Sequence, residues 1–153
     1  MIFMAKLMFH FLGPPRFTLN GASIRVGRRK AAALAAYLAV TGKSHSRERL
    51  ADLFWPEYDR DRAKSSLRRT LSVMIKALGK LWLAIDRDAI GFAPHEDIWV
   101  DVIRFRELTT RPFSGPDSVA ALEEAAGIYK SSFMAGFALG DAPDFDDWQF
   151  GQA

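Results

Sequence analysis

The chain has 153 residues, of which 49% are apolar and 25% charged, with no cysteine and a net charge of +3. Those totals describe a globular chain long enough to bury a core, and they exclude disulfides and thiolate-held metals. The longest purely apolar run, AAALAAYLAV at 31–40, is half of the ~20 residues a bilayer helix needs, so no membrane partner is expected and a cytoplasmic location is.

The small net charge conceals segregation. Residues 1–80 hold 16 Lys/Arg against 5 Asp/Glu, and residues 81–153 hold 5 against 13. A basic half of this kind either faces a polyanion or is neutralised internally by the acidic half.

In chain order, the opening MIFMAKLMFHFLGPP alternates in the manner of a half-buried strand over about 4–11, and Lys6 and His10 interrupt any signal-peptide core. RFTL at 16–19 and SIRV at 23–26 follow as strands around Asn20-Gly21, a strong hairpin signal. A helix is predicted over 28–40, closed by Gly42. Ser46 is placed as the N-cap of the next helix, with Glu48 in its first turn and Pro56 stopping it. The segment DRAKSSLRRTLSVMIKALGK at 61–80 is a third helix, ended by Gly79. LWLAIDRDAIGFAP reads as a hairpin around Asp86-Arg87-Asp88. Beyond Pro94, a short helix starts at Asp101, residues 111–117 form a loop, and SVAALEEAAGIYK is a longer helix with Ala121, Leu122, Ala125, Ile128 and Tyr129 on one side. PDFDDWQF begins a last one.

Most of the chemistry lies in 61–80. Leu67, Leu71, Met74 and Leu78 form a continuous apolar stripe at i, i+4, i+7 and i+11. Around the other side run Arg62, Ser65, Arg69, Ser72 and Lys76, flanked by Lys64 and Arg68, with Asp61 the lone acid of the segment. Long cationic donors interleaved with small hydroxyls suit phosphate oxygens and guanine edges, although a solvated basic face has the same composition. A capped helix before it and a hairpin after it make the order that of a helix-turn-helix with a wing. Ser46 and Arg47 at the start of the preceding helix, and Arg87 at the hairpin tip, complete the candidate DNA contacts.

Other chemistries find few residues. TGKS at 41–44 lacks the first glycine of a phosphate-binding loop, since Tyr37 stands there. The three histidines, His10, His45 and His95, are scattered without ligand spacing. No nucleophile elbow, Gly-rich cofactor loop or HExxH pattern occurs, so neither an enzyme nor a cofactor is expected. The four tryptophans, Trp55, Trp82, Trp99 and Trp148, sit at element edges beside apolar neighbours and read as core or interdomain anchors.

Taken together, RKAAALAAYLAV, SRERLADLFWPE, AKSSLRRTLSVMIKALG, WVDVIRF and LEEAAGIYKSSFMAGF resemble the SARP-type (antibiotic-regulatory-like) transcriptional activators. In these an OmpR-like winged helix is joined to a bacterial transcriptional activator domain of TPR-like helices. The resemblance implies an α+β winged helix-turn-helix over 1–97, with an N-terminal antiparallel sheet and a C-terminal hairpin wing. It implies a truncated, all-α, TPR-like start of the activator domain over 98–153. It further implies double-stranded promoter DNA with direct repeats as partner, with self-association on that DNA, and RNA polymerase contacted through Pro56, Glu57, Tyr58, Asp59 and Arg60. Ile75 stands where such proteins often carry a basic residue, and Ser131-Ser132 where they carry Gly-Asp. The rival reading is a protein-interaction module whose basic helix docks an acidic partner without reading bases.

Overall fold

The computed structural model describes residues 6–94, 96–110 and 115–152. The first residues of the expected opening strand, His95 and part of the expected loop at 111–117 lie outside them. Among the described residues the architecture is mixed α/β, with two small sheets and six α-helices around one main core.

The chain opens with β1 (Leu7–His10), β2 (Arg16–Leu19) and β3 (Ala22–Ile24), antiparallel neighbours. The β2–β3 turn places Asn20 at φ 54° and Gly21 at φ 84°, the pair of left-handed residues that a tight hairpin turn demands. Leu7, Phe9 and Phe11 are buried, as strand alternation dictates, and Met8 and His10 point to the other face. Helix α1 (Arg29–Thr41) follows, and Gly42 caps it with φ 67°. All residues from Ala31 to Ala39 are buried. Such a helix is central, and its alanines let neighbours approach it closely.

Next come the two-residue strand β4 (His45–Ser46), α2 (Arg47–Phe54) and α3 (Arg60–Leu78). A 3₁₀ turn at Lys80–Trp82 leads into β5 (Leu83–Ile85) and β6 (Ala89–Phe92). The expected hairpin is there, and β4 pairs with β6 to make it a three-stranded sheet in the order β4-β6-β5.

Three expectations need correction. The N-terminal sheet is not purely antiparallel, because β7 (Ile98–Val100) pairs parallel with β1, giving the order β3-β2-β1-β7. IWV is too short and too continuously apolar to show strand periodicity, and only its partner makes it a strand. Helix α3 starts at Arg60, capped by Asp59, whose carboxylate accepts from the Arg62 N–H at 2.8 Å. Leu122 and Tyr129 are each 46% exposed, so the buried face of α5 is narrower than its sequence suggests.

The remaining helices are α4 (Asp101–Thr109), α5 (Pro116–Ile128) and α6 (Pro143–Gly151). Leu108, Ala121 and Ala125 form a small separate cluster between α4 and α5. Otherwise the C-terminal segment enters the main core. Phe145 packs on Phe54 (ring centroids 5.1 Å), Trp148 on Tyr37 (4.9 Å) and Phe133 on Phe11 (6.1 Å). The buried Gln149 amide donates to the Phe137 carbonyl at 2.7 Å. Asp101 joins β1 to α4: its two carboxylate oxygens accept from the backbone N–H groups of Phe11 and Leu12, both at 2.9 Å. Burial raises its pKa, and those two donors pull the other way. Among the described residues no helix is long and apolar enough to cross a membrane.

Candidate nucleic-acid interface

The apolar stripe of α3 dictates which face is left over. Ala63, Leu67, Thr70, Leu71, Met74 and Leu78 are buried against the core. At 100° per residue this turns Arg62, Ser65, Arg69, Ser72 and Lys76 outward. Arg62, Arg69, Ser72 and Lys76 are exposed and Ser65 is half-buried. Lys64 and Arg68, also exposed, lie on the flank that looks toward the hairpin.

That flank, the start of α2 and the hairpin tip enclose a cleft of ≈ 370 Å³. Its charged lining is Arg47, Arg60, Lys64, Arg68 and Arg87 against Glu48 and Asp88, an excess of cations. Two of the five are engaged: Arg60 reaches Glu48 at 3.5 Å, and Arg47 Nε donates to the Asp86 carbonyl at 3.0 Å. Among the described residues Arg62, Lys64, Arg68, Arg69, Lys76 and Arg87 take part in no ion pair. The acidic half therefore does not neutralise this face. An ion pair between the halves lies elsewhere, where Lys30 at the start of α1 meets Asp141 at 3.1 Å. Lys30 also donates to the Phe54 carbonyl at 2.6 Å.

The hairpin tip is held from both sides. Asp86 Oδ1 accepts from the N–H groups of Asp88 (2.7 Å) and Ala89 (2.8 Å), an Asx turn that keeps Arg87 at the apex. Those two bonds hold the Asp86 carboxyl below the usual range, with a smaller contribution from Arg47. The Arg47 N–H donates to the Asp88 carbonyl at 2.8 Å, tying α2 to the tip. Gly91 brings β6 against the preceding loop so closely that a Cβ there would lie 2.9 Å from Ser44 Cα and 2.6 Å from Ser44 Oγ. Only glycine fits that approach.

The expected contacts thus divide. Lys64, Arg68, Arg69, Ser72, Lys76 and Arg87 are exposed without a fixed partner among the described residues, whereas Ser46 caps α2 by accepting from the Arg49 N–H at 3.0 Å and Arg47 is committed to the tip. In the 56–60 loop, all exposed, the Asp59 carboxylate is used as a cap and Arg60 faces Glu48. Tyr58 is the residue whose role the sequence did not disclose. The Arg62 guanidinium lies over its ring, 4.0 Å from the centroid, which orders the first cation of the ridge. The four-residue spacing from Tyr58 to Arg62 carries that signal, but Tyr58 precedes the helix and its position is set by the turn. Among the described residues no group of His, Asp or Glu could hold a metal ion.

No family model matches the chain, and no curated protein matches it. Among solved structures, the fold is similar to that of Mycobacterium tuberculosis EmbR in complex with a low affinity phosphopeptide, with a TM-score of 0.70 and 18% sequence identity. The likeness covers 97% of this chain and 42% of that one, so the chain spans about two fifths of the length of its structural neighbour.

Proposed function

We propose that the chain is a sequence-specific DNA-binding regulator of transcription, an activator, in which α2, α3 and the β5–β6 hairpin act as a winged helix-turn-helix. The observation that carries this reading is convergence. The outward ridge of α3, the cation-rich cleft beside it and the apex Arg87 lie on one side of the molecule, and among the described residues Arg60, facing Glu48, is the one of their cations held in an ion pair. A helix of this kind fits the major groove, the cleft fits the phosphates at the groove edge, and a tip arginine fits the minor groove or backbone beside it. The fold likeness to EmbR supports the reading at the level of fold alone. On the same reading the exposed 56–60 loop is the surface offered to RNA polymerase, direct repeats are the operator, self-association occurs on that DNA, and the protein works in the bacterial cytoplasm at the nucleoid.

The experiment is selection of bound duplexes from a random pool, followed by competition. The expected result is one enriched motif, retained by the protein against a large excess of random duplex. A protein that enriches no motif, or never shifts DNA yet captures acidic polypeptides, is instead a docking module.

A further inference from the structure

A second cavity lies away from α3, on the outer face of the N-terminal sheet. Its volume is ≈ 350 Å³, within the ~300–1,000 Å³ typical of small-molecule sites. The strand registers build its floor: His10 on β1 stands opposite Arg16 on β2, and Trp99 on β7 lies one strand over. The C-terminal end of α5 forms the wall with Gly127, Ile128 and then Lys130. The indole of Trp99 lies 5.5 Å from the His10 ring, and His10 Nε2 is 3.3 Å from Thr18 Oγ1, which fixes the imidazole in place. Burial first, then the Arg16 charge, lowers the His10 pKa, with Asp101 pulling the other way, which favours the uncharged ring.

Two features set this cavity apart from a packing gap. Arg16 and Lys130 stand exposed at its rim and take part in no ion pair among the described residues. Gly127 is the penultimate residue of α5, and a Cβ there would meet no atom within 4 Å. Neither a neighbouring atom nor a positive φ requires that glycine. Gly127 is one of the residues lining the cavity wall, so a bulky side chain placed there stands beside the cavity. The one acid in the lining, Asp101, already spends both oxygens on the Phe11 and Leu12 N–H groups.

We propose that this cavity is a binding site for a small organic anion with a flat apolar body, its acid group taken by Arg16 and Lys130 and its ring laid against Trp99. Charge-assisted bonds from the two cations supply the selectivity for an anion, and the indole face supplies the apolar area. Because the floor is sheet and the wall is α5, an occupant bridges the two parts of the chain.

The test uses the full chain with salicylate as probe, following the ¹⁵N-labelled Trp99 indole N–H signal by NMR, assigned with Trp99→Phe. Saturable shifts confined to this signal and its neighbours are expected. Arg16→Gln should weaken binding by about tenfold or more, the loss of one charge-assisted bond. Gly127→Leu should weaken it as strongly by filling the space, with Ala126→Leu as the matched bulk control that binds like the parent. Salicylamide, uncharged and of the same shape, should not saturate. Absence of saturable binding, equal binding of salicylamide, or a parental affinity in either Arg16→Gln or Gly127→Leu would overturn the proposal. None of these outcomes bears on α3 or on DNA binding.

Discussion

Arg69 and Lys76 stand two turns apart on the same exposed ridge of α3, and their chemistry separates them. A guanidinium can hold guanine O6 and N7 together, whereas an ammonium is a point charge that suits any phosphate. Arg69→Ala should therefore cost about 1–3 kcal/mol on the selected site and leave affinity for random duplex nearly unchanged. Lys76→Ala should weaken both alike and reduce the salt slope by about one unit. Equal losses on both DNAs for Arg69→Ala would remove it from the base-reading set; circular dichroism should show both variants folded, since neither side chain is buried. Gly91 is the opposite kind of residue, important for what it lacks. Gly91→Ala drives a methyl to 2.9 Å from Ser44 Cα, so the strand must move, and about 1–3 kcal/mol of stability should be lost in urea unfolding. A neutral Gly91→Ala would show that the Ser44 loop yields freely.

At the scale of elements, the joints matter more than the helices. The β4–β6 pairing, the Arg47 bonds and the Asx turn at Asp86 fix where the hairpin stands relative to α2. The joint between β1 and α4 rests on Asp101. Asp101→Asn keeps one acceptor but turns an amide NH₂ toward a backbone N–H, and should cost about 1–3 kcal/mol. Asp101→Ala orphans both donors and should cost more than the amide. The two variants compared by denaturant titration give the order; an alanine variant milder than the asparagine one would show that relief of the buried charge outweighs the two bonds.

For the whole molecule, the charge segregation and the shared core make separate forecasts. DNA affinity should fall with log[salt] at a slope of about −0.9 per neutralised phosphate. If roughly four to six phosphates meet the ridge, cleft and tip, affinity should drop by about two to three orders of magnitude between 50 and 200 mM salt. A flat dependence would dismiss phosphate contact altogether. The second forecast concerns residues 98–153. They supply β7 to the first sheet and lay Phe133, Phe145 and Trp148 on Phe11, Phe54 and Tyr37. A piece ending at residue 97 should lose cooperative thermal unfolding or aggregate, since it uncovers those aromatics and an edge of β1. A 1–97 piece as stable and as competent for DNA as the full chain would make the C-terminal segment dispensable.

Local chemistry was enough for most elements: the Asn20-Gly21 turn, Gly42 at the end of α1, Ser46 as a cap, the stripe on α3 and the 86–88 tip are all legible in the chain, because each depends on neighbours within about four residues. The basic ridge was legible for the same reason, being the complement of the apolar stripe. What the amino-acid order could not disclose depends on contacts far apart in sequence. The parallel β1–β7 pairing, the Asp101 clasp on Phe11 and Leu12, the seating of Tyr58 under Arg62 and the cleft that brings Arg87 beside Lys64 and Arg68 arise only when separate elements meet. Likewise Leu122 and Tyr129 satisfy the periodicity of a buried face and yet remain exposed, since periodicity says which residues share a side and only packing decides whether anything covers it.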